Sequence, residues 1–415
     1  MTSGLALERV FRAASGRIIA ALAARYRNLA LAEDAFSEAC LRALRAWPDA
    51  GVPDDPAAWL YRTASRVILD ALRQQSVRER HSIPEPPPEP SAEDLLAHDS
   101  QMIPDERLRL IFICCHPAVA QDARAALTLR LVCGLTVTEI ARAFLIEEAA
   151  LAQRLVRAKR KIAEAGVSFE LPPPELWPER VEAVLSTLEI AYSRAHEDAS
   201  GTAVRAHFAA EVLHLTSLLT QLLPGESAAH ALAALVRYSE ARRPARVDSE
   251  GMMVPLSEQD PRLWNRERIA EADALLGRAA QLGPPTARLL QAELQRAWCA
   301  RASLAQSPPW PEILRVYDRL LQLRDDPFVR INRAVALAEI RGPEAALQEL
   351  ARLDGAKLTG FAPYHAVRAD FLARVGRHSD ARQAYETVLA LDPPPAEKRW
   401  IHRRLAMLEN GAVRT

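Results

Sequence analysis

Residues 122–162 read DARAALTLRLVCGLTVTEIARAFLIEEAALAQRLVRAKRKI, and their pattern predicts short helices followed by a longer basic helix. Thr136 and Glu139 stand three residues apart, which is the spacing of a capping box at the start of a helix. Gly134 lies just before them and is typical of the end of a helix. We therefore expect one helix to end near residue 133 and another to begin near residue 137.

The helix predicted at 148–162 has two chemically different sides. Its apolar residues recur every three to four positions, which predicts a buried side formed by Leu151, Leu155, Ala158 and Ile162. The opposite side carries Gln153, Arg154, Arg157 and Lys161, and residues 151–161 contain no acidic side chain. A lone basic run is more often a solvated surface. Here a capped helix and a short turn at 144–147, although without glycine, precede the run and favour a helix-turn-helix that binds DNA.

Side-chain chemistry suggests how such a helix contacts DNA. Arginine suits base edges and phosphates because its planar fork donates two parallel hydrogen bonds. Lysines near the end of the helix suit phosphates, which fix the register without reading the sequence. The predicted DNA-contacting residues of this stretch are Thr136, Glu148, Gln153, Arg154, Arg157, Lys159 and Lys161.

Charge is distributed unevenly along the chain. The 415 residues have a formal net charge of zero, so any affinity for nucleic acid must come from local charge. The length allows two to four domains. Residues 81–104 carry five acidic side chains and neither Lys nor Arg, and their proline content predicts an extended linker. A second proline-rich break, FELPPPELWP, predicts another linker at 167–178.

Strand patterns are scarce, and Ala, Leu, Arg and Glu recur with helical spacing, so the predicted fold class is all-α. Residues 5–27 and 31–46 predict two amphipathic helices, and a third begins with Asp55 as its N-cap and continues to about residue 75. The second is expected to bury Phe36, Cys40, Ala43 and Leu44 and to end on Trp47 and Pro48, and the third to bury Trp59, Thr63, Val67, Ala71 and Leu72. Both tryptophans are expected to pack in the core.

The outer sides of these two helices carry the remaining candidate contacts. The second presents Asp34, Ser37, Glu38, Leu41 and Arg45, and the third presents Arg62, Arg66, Asp70 and Arg73. Opening of DNA also requires pockets for flipped bases, and we expect one in the loop at 48–55.

The C-terminal part, 179–415, is predicted to be helical and ends in repeats. Helix pairs are expected to begin near residues 287, 328 and 362, which is close to the period of about 34 of tetratricopeptide repeats (TPR). Such repeats stack into an α-solenoid whose concave face binds a protein partner. Residues 241–272 lack a helical period, and the sequence predicts only a turn at Ser249, Glu250 and Gly251.

Cysteine and histidine usage gives no clear site. Five scattered cysteines indicate a reducing compartment. Cys114, Cys115 and His116, with Cys133 later in the chain, invite a metal or redox interpretation, but adjacent cysteines do not easily bind one ion, and buried packing is favoured. No phosphate loop, nucleophile elbow or metal-ligand spacing is present, so we expect neither enzyme activity nor a metal or other cofactor.

No apolar run approaches about 20 residues, and no signal peptide is evident, so we expect a cytoplasmic protein without membrane spans.

The first 165 residues resemble an extracytoplasmic-function (ECF) sigma factor of the sigma-seventy class, a promoter-recognition subunit of bacterial RNA polymerase. LAEDAFSEACLRALRAWP resembles the core-binding helix of region two, and PAAWLYRTASRVILDALRQQ resembles the helix that engages the minus-ten element. EEAALAQRLVRAKRKI resembles the minus-thirty-five recognition helix of region four. LIFICCHPAV, ARRPARVDSEG and WNRERIAEA resemble the ECF subgroup with a TPR-like C-terminal extension.

The resemblance implies region two at 1–80, a linker at 81–104 and region four at 105–166, followed by the linker at 167–178 and the extension. It implies that the outer side of the second helix binds core polymerase, that Arg62, Arg66, Asp70 and Arg73 contact the minus-ten element, and that the helix-turn-helix reads the minus-thirty-five element. The implied partners are core RNA polymerase and promoter DNA, with a protein partner on the TPR-like part. The extension is expected to regulate the sigma domains.

The sequence leaves two other classes of function open. A TPR adaptor or DNA-binding regulator would not need to bind core polymerase, and a sensor built on Cys114, Cys115 and Cys133 would bind metal or change its thiol state. Polymerase binding tests the first alternative, and metal analysis with thiol titration tests the second.

Overall fold

The computed structural model describes residues 3–79, 103–132, 135–144, 146–167, 174–197, 203–353 and 355–412. The described residues form α-helices and short 3-10 turns, with one isolated β-bridge between Val247 and Met253, which confirms the predicted all-α class. The chain divides into an N-terminal unit, Met1–Ala195, and a C-terminal unit, His196–Thr415. The linker predicted at 81–104 and the glycine expected to end a helix, Gly134, fall almost wholly outside the described residues.

Eight helices of the N-terminal unit are described. They are α1 (Ser3–Tyr26), α2 (Leu29–Ala50), α3 (Pro56–Glu79), α4 (Ile103–Cys114), α5 (Gln121–Leu131), α6 (Val137–Phe144), α7 (Glu148–Glu164) and α8 (Trp177–Glu197). The first three pack on one another around buried residues such as Leu22, Phe36, Leu60 and Ile68. The predicted positions of the first three helices are thus confirmed.

Local hydrogen bonds fix where α2 and α3 begin. The Asn28 side chain accepts from the Leu31 amide at 3.0 Å, and the Asp55 carboxylate accepts from the Ala58 amide at 2.9 Å. Each satisfies an amide that has no partner within the first turn of its helix. Asp55 therefore is the N-cap that the sequence predicted.

The core of this bundle differs in detail from the sequence prediction. Helix α2 does not end at Trp47 but continues through Pro48 to Ala50, because a proline in the last turn removes only one hydrogen bond. Leu44 is 49% exposed, so its predicted burial was wrong. The buried side of α3 is formed by Ala58, Leu60, Tyr61, Ala64, Ser65 and Ile68, whereas Ala71, expected inside, is exposed.

The two tryptophans pack as expected. The rings of Trp47 and Trp59 meet edge to face, with centroids 5.5 Å apart, which is a favourable arrangement of two aromatic quadrupoles. This contact joins the end of α2 to the start of α3 and sets the short connection of residues 51–55. Within that connection Gly51 has a φ of 84°, a left-handed conformation that favours glycine.

The C-terminal unit consists of helical hairpins. Its helices are α9 (Ala203–Leu222), α10 (Ser227–Ala241), α11 (Arg266–Leu282), α12 (Ala287–Cys299), α13 (Trp310–Leu323), α14 (Pro327–Arg341), α15 (Pro343–Leu350), α16 (Ala362–Arg374), α17 (His378–Ala390) and α18 (Pro395–Ala412). Three consecutive pairs begin at residues 287, 327 and 362, which confirms the predicted starts of the repeated pairs.

Charged pairs connect successive helices of this stack. Arg333 of α14 lies 2.7 Å from Asp318 of α13 and 3.4 Å from Glu349 of α15. Arg374 of α16 lies 2.6 Å from Glu339 of α14. These pairs therefore link α14 to α13, α15 and α16.

Residues 243–265, for which the sequence predicted only a turn, form three 3-10 turns around a buried arginine. The Arg301 side chain is 1% exposed and donates to the carbonyls of Ser257 and Gln306, each at 3.0 Å. A buried guanidinium is tolerated here because backbone oxygens accept its hydrogen bonds. The predicted turn is present, and Gly251 has a φ of 72°.

Candidate nucleic-acid interface

Helix α7 has the two sides that its sequence predicted. Leu151, Leu155, Ala158 and Ile162 are all buried, while Gln153, Arg157, Arg160 and Lys161 are exposed. The buried side packs on α5 and α6. The exposed side therefore presents guanidinium and ammonium groups on a rigid helix, which is the arrangement that enters a major groove.

Side-chain hydrogen bonds cap the start of α6 and join α6 to the start of α7. Thr136 and Glu139 make the reciprocal capping box: the Glu139 amide donates to Thr136 Oγ1 at 3.1 Å, and the Thr136 amide donates to Glu139 Oε2 at 2.8 Å. Thr138 Oγ1 then donates to the Glu148 carboxylate at 3.0 Å. Thr136 thus has a structural role at the start of α6, and Glu148 fixes the angle at which α7 leaves the turn.

On the open side of α7, Arg157 donates to the Gln153 carbonyl at 3.4 Å, and the other basic groups make surface ion pairs. Arg154 lies 3.1 Å from Asp122, whose side chain is 60% exposed. Lys161 and Arg160 share Glu164, at 3.0 and 3.3 Å, and the hydrogen bond from Lys161 lowers the pKa of Glu164. Such exposed pairs are weak in water because solvent screens the charges and the side chains lose entropy. They can therefore be exchanged for phosphates at little cost.

Lys159 is placed differently from its neighbours on α7. Its ammonium lies 2.8 Å from the carboxylate of Glu33 in α2, and both side chains are largely buried, at 20% and 11% exposure. Arg130 of α5 donates to the same carboxylate at 3.2 Å. Of the predicted DNA contacts on α7, Lys159 is thus engaged inside the N-terminal unit and does not lie on the open basic side.

The outer side of α3 is open, as the sequence predicted. Arg62, Arg66, Asp70 and Arg73 are all exposed, and Arg73 lies 3.5 Å from Asp70. Arg62 and Arg66 are one helical turn apart and project from the same face. This face is suited to a nucleic-acid backbone.

The outer side of α2 has a mixed character. Asp34, Leu41 and Arg45 are exposed, and Ser37 and Glu38 are half-buried. Leu44, which the sequence placed in the core, adds a second exposed leucine beside Leu41, at 49% and 48% exposure. Adjacent exposed leucines among charges suit a protein partner better than DNA. Hydrophobicity alone predicts that Leu44 is buried. Its position about one turn from Leu41, however, places both leucines on the same outer side of α2.

The cysteine pair lies in the core of the N-terminal unit. Cys114 and Cys115 are both 0% exposed, which confirms the packing interpretation. Cys115 Sγ lies 3.7 Å from the hydroxyls of Thr128 in α5 and Thr187 in α8. Burial raises the pKa of the Cys115 thiol, and a protonated thiol is a poor nucleophile and a poor metal ligand.

Comparison with known proteins defines the class of protein to which the chain belongs. The family description of sigma-70 region 2 matches residues 10–78, which cover α1 to α3, and that of sigma-70 region 4 matches residues 109–162, which include the helix-turn-helix. A family of unknown function (DUF6596) matches residues 180–280. The protein is a sigma factor of the sigma-70 family, and its role in promoter recognition by RNA polymerase follows from these two regions. Sigma factors bind core polymerase and promoter DNA and are not enzymes.

A full-length relative extends the comparison beyond the sigma regions. An uncharacterized protein of Rhizobium meliloti (strain 1021) is 39% identical over 389 residues, which is 92% of this chain and 90% of that protein. The chain therefore belongs to the same family as the rhizobial protein, with the C-terminal unit included in the similarity. Among the described helices, none is long and apolar enough to cross a membrane.

Proposed function

We propose that the protein is an ECF-type sigma factor that works in the cytoplasm and whose C-terminal unit regulates it. The observation that carries the proposal is the pairing of two different open surfaces in the sigma unit. One is the leucine-bearing face of α2, and the other is the basic side of α7. A DNA-binding regulator that does not bind polymerase needs only the basic side of α7.

In this proposal each surface has one task. The face of α2 that includes Asp34, Ser37, Glu38, Leu41 and Arg45 binds core polymerase. Arg62, Arg66, Asp70 and Arg73 of α3 contact the minus-ten element, and the shortened connection of residues 51–55 lies next to them. Gln153, Arg154, Arg157 and Lys161 of α7 read and hold the minus-thirty-five element.

The C-terminal unit is proposed to act as a TPR-like regulatory stack with a protein partner. Its three helix pairs repeat at close to the TPR period, and its surface includes an exposed aromatic contact. Phe328 is 57% exposed and packs edge to face on Phe361, with centroids 4.4 Å apart. Exposed aromatic side chains at a helix start are typical anchors for a bound partner.

In vitro transcription with purified core polymerase tests the regulatory proposal. The truncation should follow Ala195, because α8 belongs to the sigma unit through the contact of Thr187 with Cys115. A chain ended at residue 170 would lose that contact and confuse loss of regulation with loss of packing. We expect the truncated and full-length chains to differ in run-off transcription; equal activity would remove the regulatory role of the C-terminal unit.

A further inference from the structure

Residues 246–258, which lie between α10 and α11, reach across the C-terminal unit to α18, its last described helix. We call this segment the strap. The Met253 amide donates to the Ala396 carbonyl at 3.1 Å, and the Arg399 guanidinium donates to the Gly251 carbonyl at 2.9 Å. Gly251 and Arg399 are 148 residues apart in the chain. The strap therefore joins an early part of the unit to its last described helix.

The other end of the strap lies against α12 and α13. Arg301, just after α12, donates to the Ser257 carbonyl at 3.0 Å. The Leu256 side chain packs against an apolar cluster that includes Trp298 of α12 and Ile313 of α13. The strap is thus held through backbone groups and the Leu256 side chain. Because every peptide offers the same backbone carbonyls, a surface of this kind fits other extended segments as well.

The tip of the strap is organised by its own hydrogen bonds. The Asp248 carboxylate accepts from the amides of Glu250 and Met252, each at 2.9 Å, and Val247 forms a β-bridge with Met253. These bonds lie within the strap and do not depend on α18. The tip therefore docks and leaves as a preformed hairpin, which limits the conformational entropy that is lost on docking.

The two anchors of the strap differ in burial. Arg301 is 1% exposed, and its described acceptors are the backbone carbonyls of Leu256, Ser257 and Gln306. Arg399 is exposed, so water competes for its hydrogen bonds. Leaving a buried donor without a partner costs more than leaving an exposed one. Release from α18 therefore costs less than release from Arg301, and the strap opens at α18 first.

We propose that the strap is an internal ligand on a docking surface for an extended, apolar peptide segment of a protein partner, and that this partner displaces the strap, starting at α18. The partner segment offers backbone carbonyls to Arg301 and Arg399 and places an apolar side chain where Leu256 now lies. This inference rests on the proposed regulatory role of the C-terminal unit. It adds the surface that binds the partner and the kind of segment that fits it.

Hydrogen–deuterium exchange of the full-length chain tests the release from α18. Arg399→Ala removes the exposed anchor, so the amides of residues 246–258 should exchange several-fold faster than in the parent. Arg403→Ala removes another exposed arginine, one turn further along α18, and should leave the exchange of the strap unchanged. The amides of α12 should stay equally protected in both variants, which verifies that the helical stack is retained.

Gly251→Ala tests the same contact by a steric route that alters the strap alone. A Cβ atom on Gly251 would lie 2.7 Å from Arg399 Nη1, and the left-handed backbone at this position strains any other residue. The added methyl group therefore weakens the docked strap and should also speed its exchange several-fold. If the strap exchanges as slowly in both Arg399→Ala and Gly251→Ala as in the parent, it does not open at α18 and the proposal fails.

A labelled peptide tests whether the surface binds an extended segment. In the full-length chain, a Gly-Ser linker of the same length replaces the strap and so empties the surface. A fluorescein-labelled peptide of residues 246–258 should bind this linker variant at least about tenfold more tightly than the parent, where the tethered strap competes at a roughly millimolar local concentration. Fluorescence anisotropy measures both affinities.

Two controls separate specific docking from loss of fold. A peptide that carries Leu256→Asp lacks the apolar anchor and should bind the linker variant about tenfold more weakly. The Gly251→Ala chain keeps the docking surface intact and should bind the unaltered peptide several-fold more tightly than the parent. This chain provides the test if circular dichroism shows that the linker variant has lost its helices. A peptide that binds neither variant more tightly than the parent, or equal binding of both peptides, contradicts the proposal.

These measurements need no polymerase, so they can fail independently of the proposed function. If the peptide binds as expected but truncation after Ala195 leaves transcription unchanged, the docking surface stands and the regulatory role fails. If truncation changes transcription but the peptide binds neither variant, the regulatory role stands and the strap is a fixed part of the fold.

Discussion

The outer faces of α2 and α7 are both open, yet they differ in the chemistry they offer. The face of α2 exposes two adjacent leucines among charges of both signs. The face of α7 exposes basic groups, most of them paired with exposed acids, and one large apolar side chain, Val156, which is 61% exposed. The first can bury apolar area against a protein, and the second can exchange weak ion pairs for phosphates. This contrast supports the proposal that α2 contacts polymerase and α7 contacts DNA.

The largest effect is expected on the face of α2. The double substitution Leu41→Asp with Leu44→Asp should weaken binding to core polymerase by about 2–4 kcal/mol, the range of interface anchors, because two apolar contacts are replaced by charges. Fluorescence anisotropy of the labelled chain with purified core measures it. Val156→Asp places one such charge on the face of α7 and should leave core affinity unchanged. Equal losses from both variants would mean that the two faces do not have separate partners.

The next effect concerns the arginines of α7. Arg157→Ala and Arg154→Ala should each weaken promoter binding by about 1–3 kcal/mol if the side chain makes a bidentate base contact. Arg154 should give the smaller loss, because binding first has to separate it from Asp122. Footprinting and affinity titration measure the change, and core binding serves as the control. Unchanged footprints for both variants would remove α7 as the recognition helix.

Lys161 should behave as a phosphate contact. Lys161→Ala should weaken binding to specific and random duplexes alike and reduce the slope of affinity against salt concentration by about one ion. Titrations at several salt concentrations measure that slope. A loss confined to one DNA sequence would instead make Lys161 a base contact.

The smallest effect is expected for Thr136. Thr136→Ala removes the cap of α6 and should lower the free energy of unfolding by about 1 kcal/mol, as urea denaturation would show. Thr136→Ser keeps the capping hydroxyl and should retain both stability and DNA affinity. If Thr136→Ser lost DNA affinity while stability stayed normal, Thr136 would be a DNA contact, as its sequence position had suggested.

Local signals explain which features the sequence predicted. The capping box of Thr136 and Glu139, the N-cap of Asp55 and the buried side of α7 all depend on residues within one or two helical turns. Such patterns report local hydrogen bonding and periodicity, and each was confirmed. The starts of the repeated C-terminal pairs were predicted for the same reason.

Long-range contacts explain what the sequence did not predict. Lys159 and Glu33 are 126 residues apart, and no local pattern indicates that an ammonium on a basic helix is paired inside the unit. The position of Leu44 depends on how α2 is rotated against its neighbours, which hydrophobicity does not specify. The burial of Arg301 was not predicted either, because its partners are backbone oxygens, one of them on Ser257, 44 residues away.

Run-off transcription shows directly whether the chain directs core polymerase to promoters. Purified chain and purified core polymerase should together give a defined transcript from a genomic promoter library, and neither should do so alone. The Leu41→Asp with Leu44→Asp variant should abolish the transcript, while Glu175→Gln, which removes one exposed carboxylate of the same unit, should retain it. A chain that binds DNA but gives no transcript with core polymerase would contradict the account and favour a DNA-binding regulator.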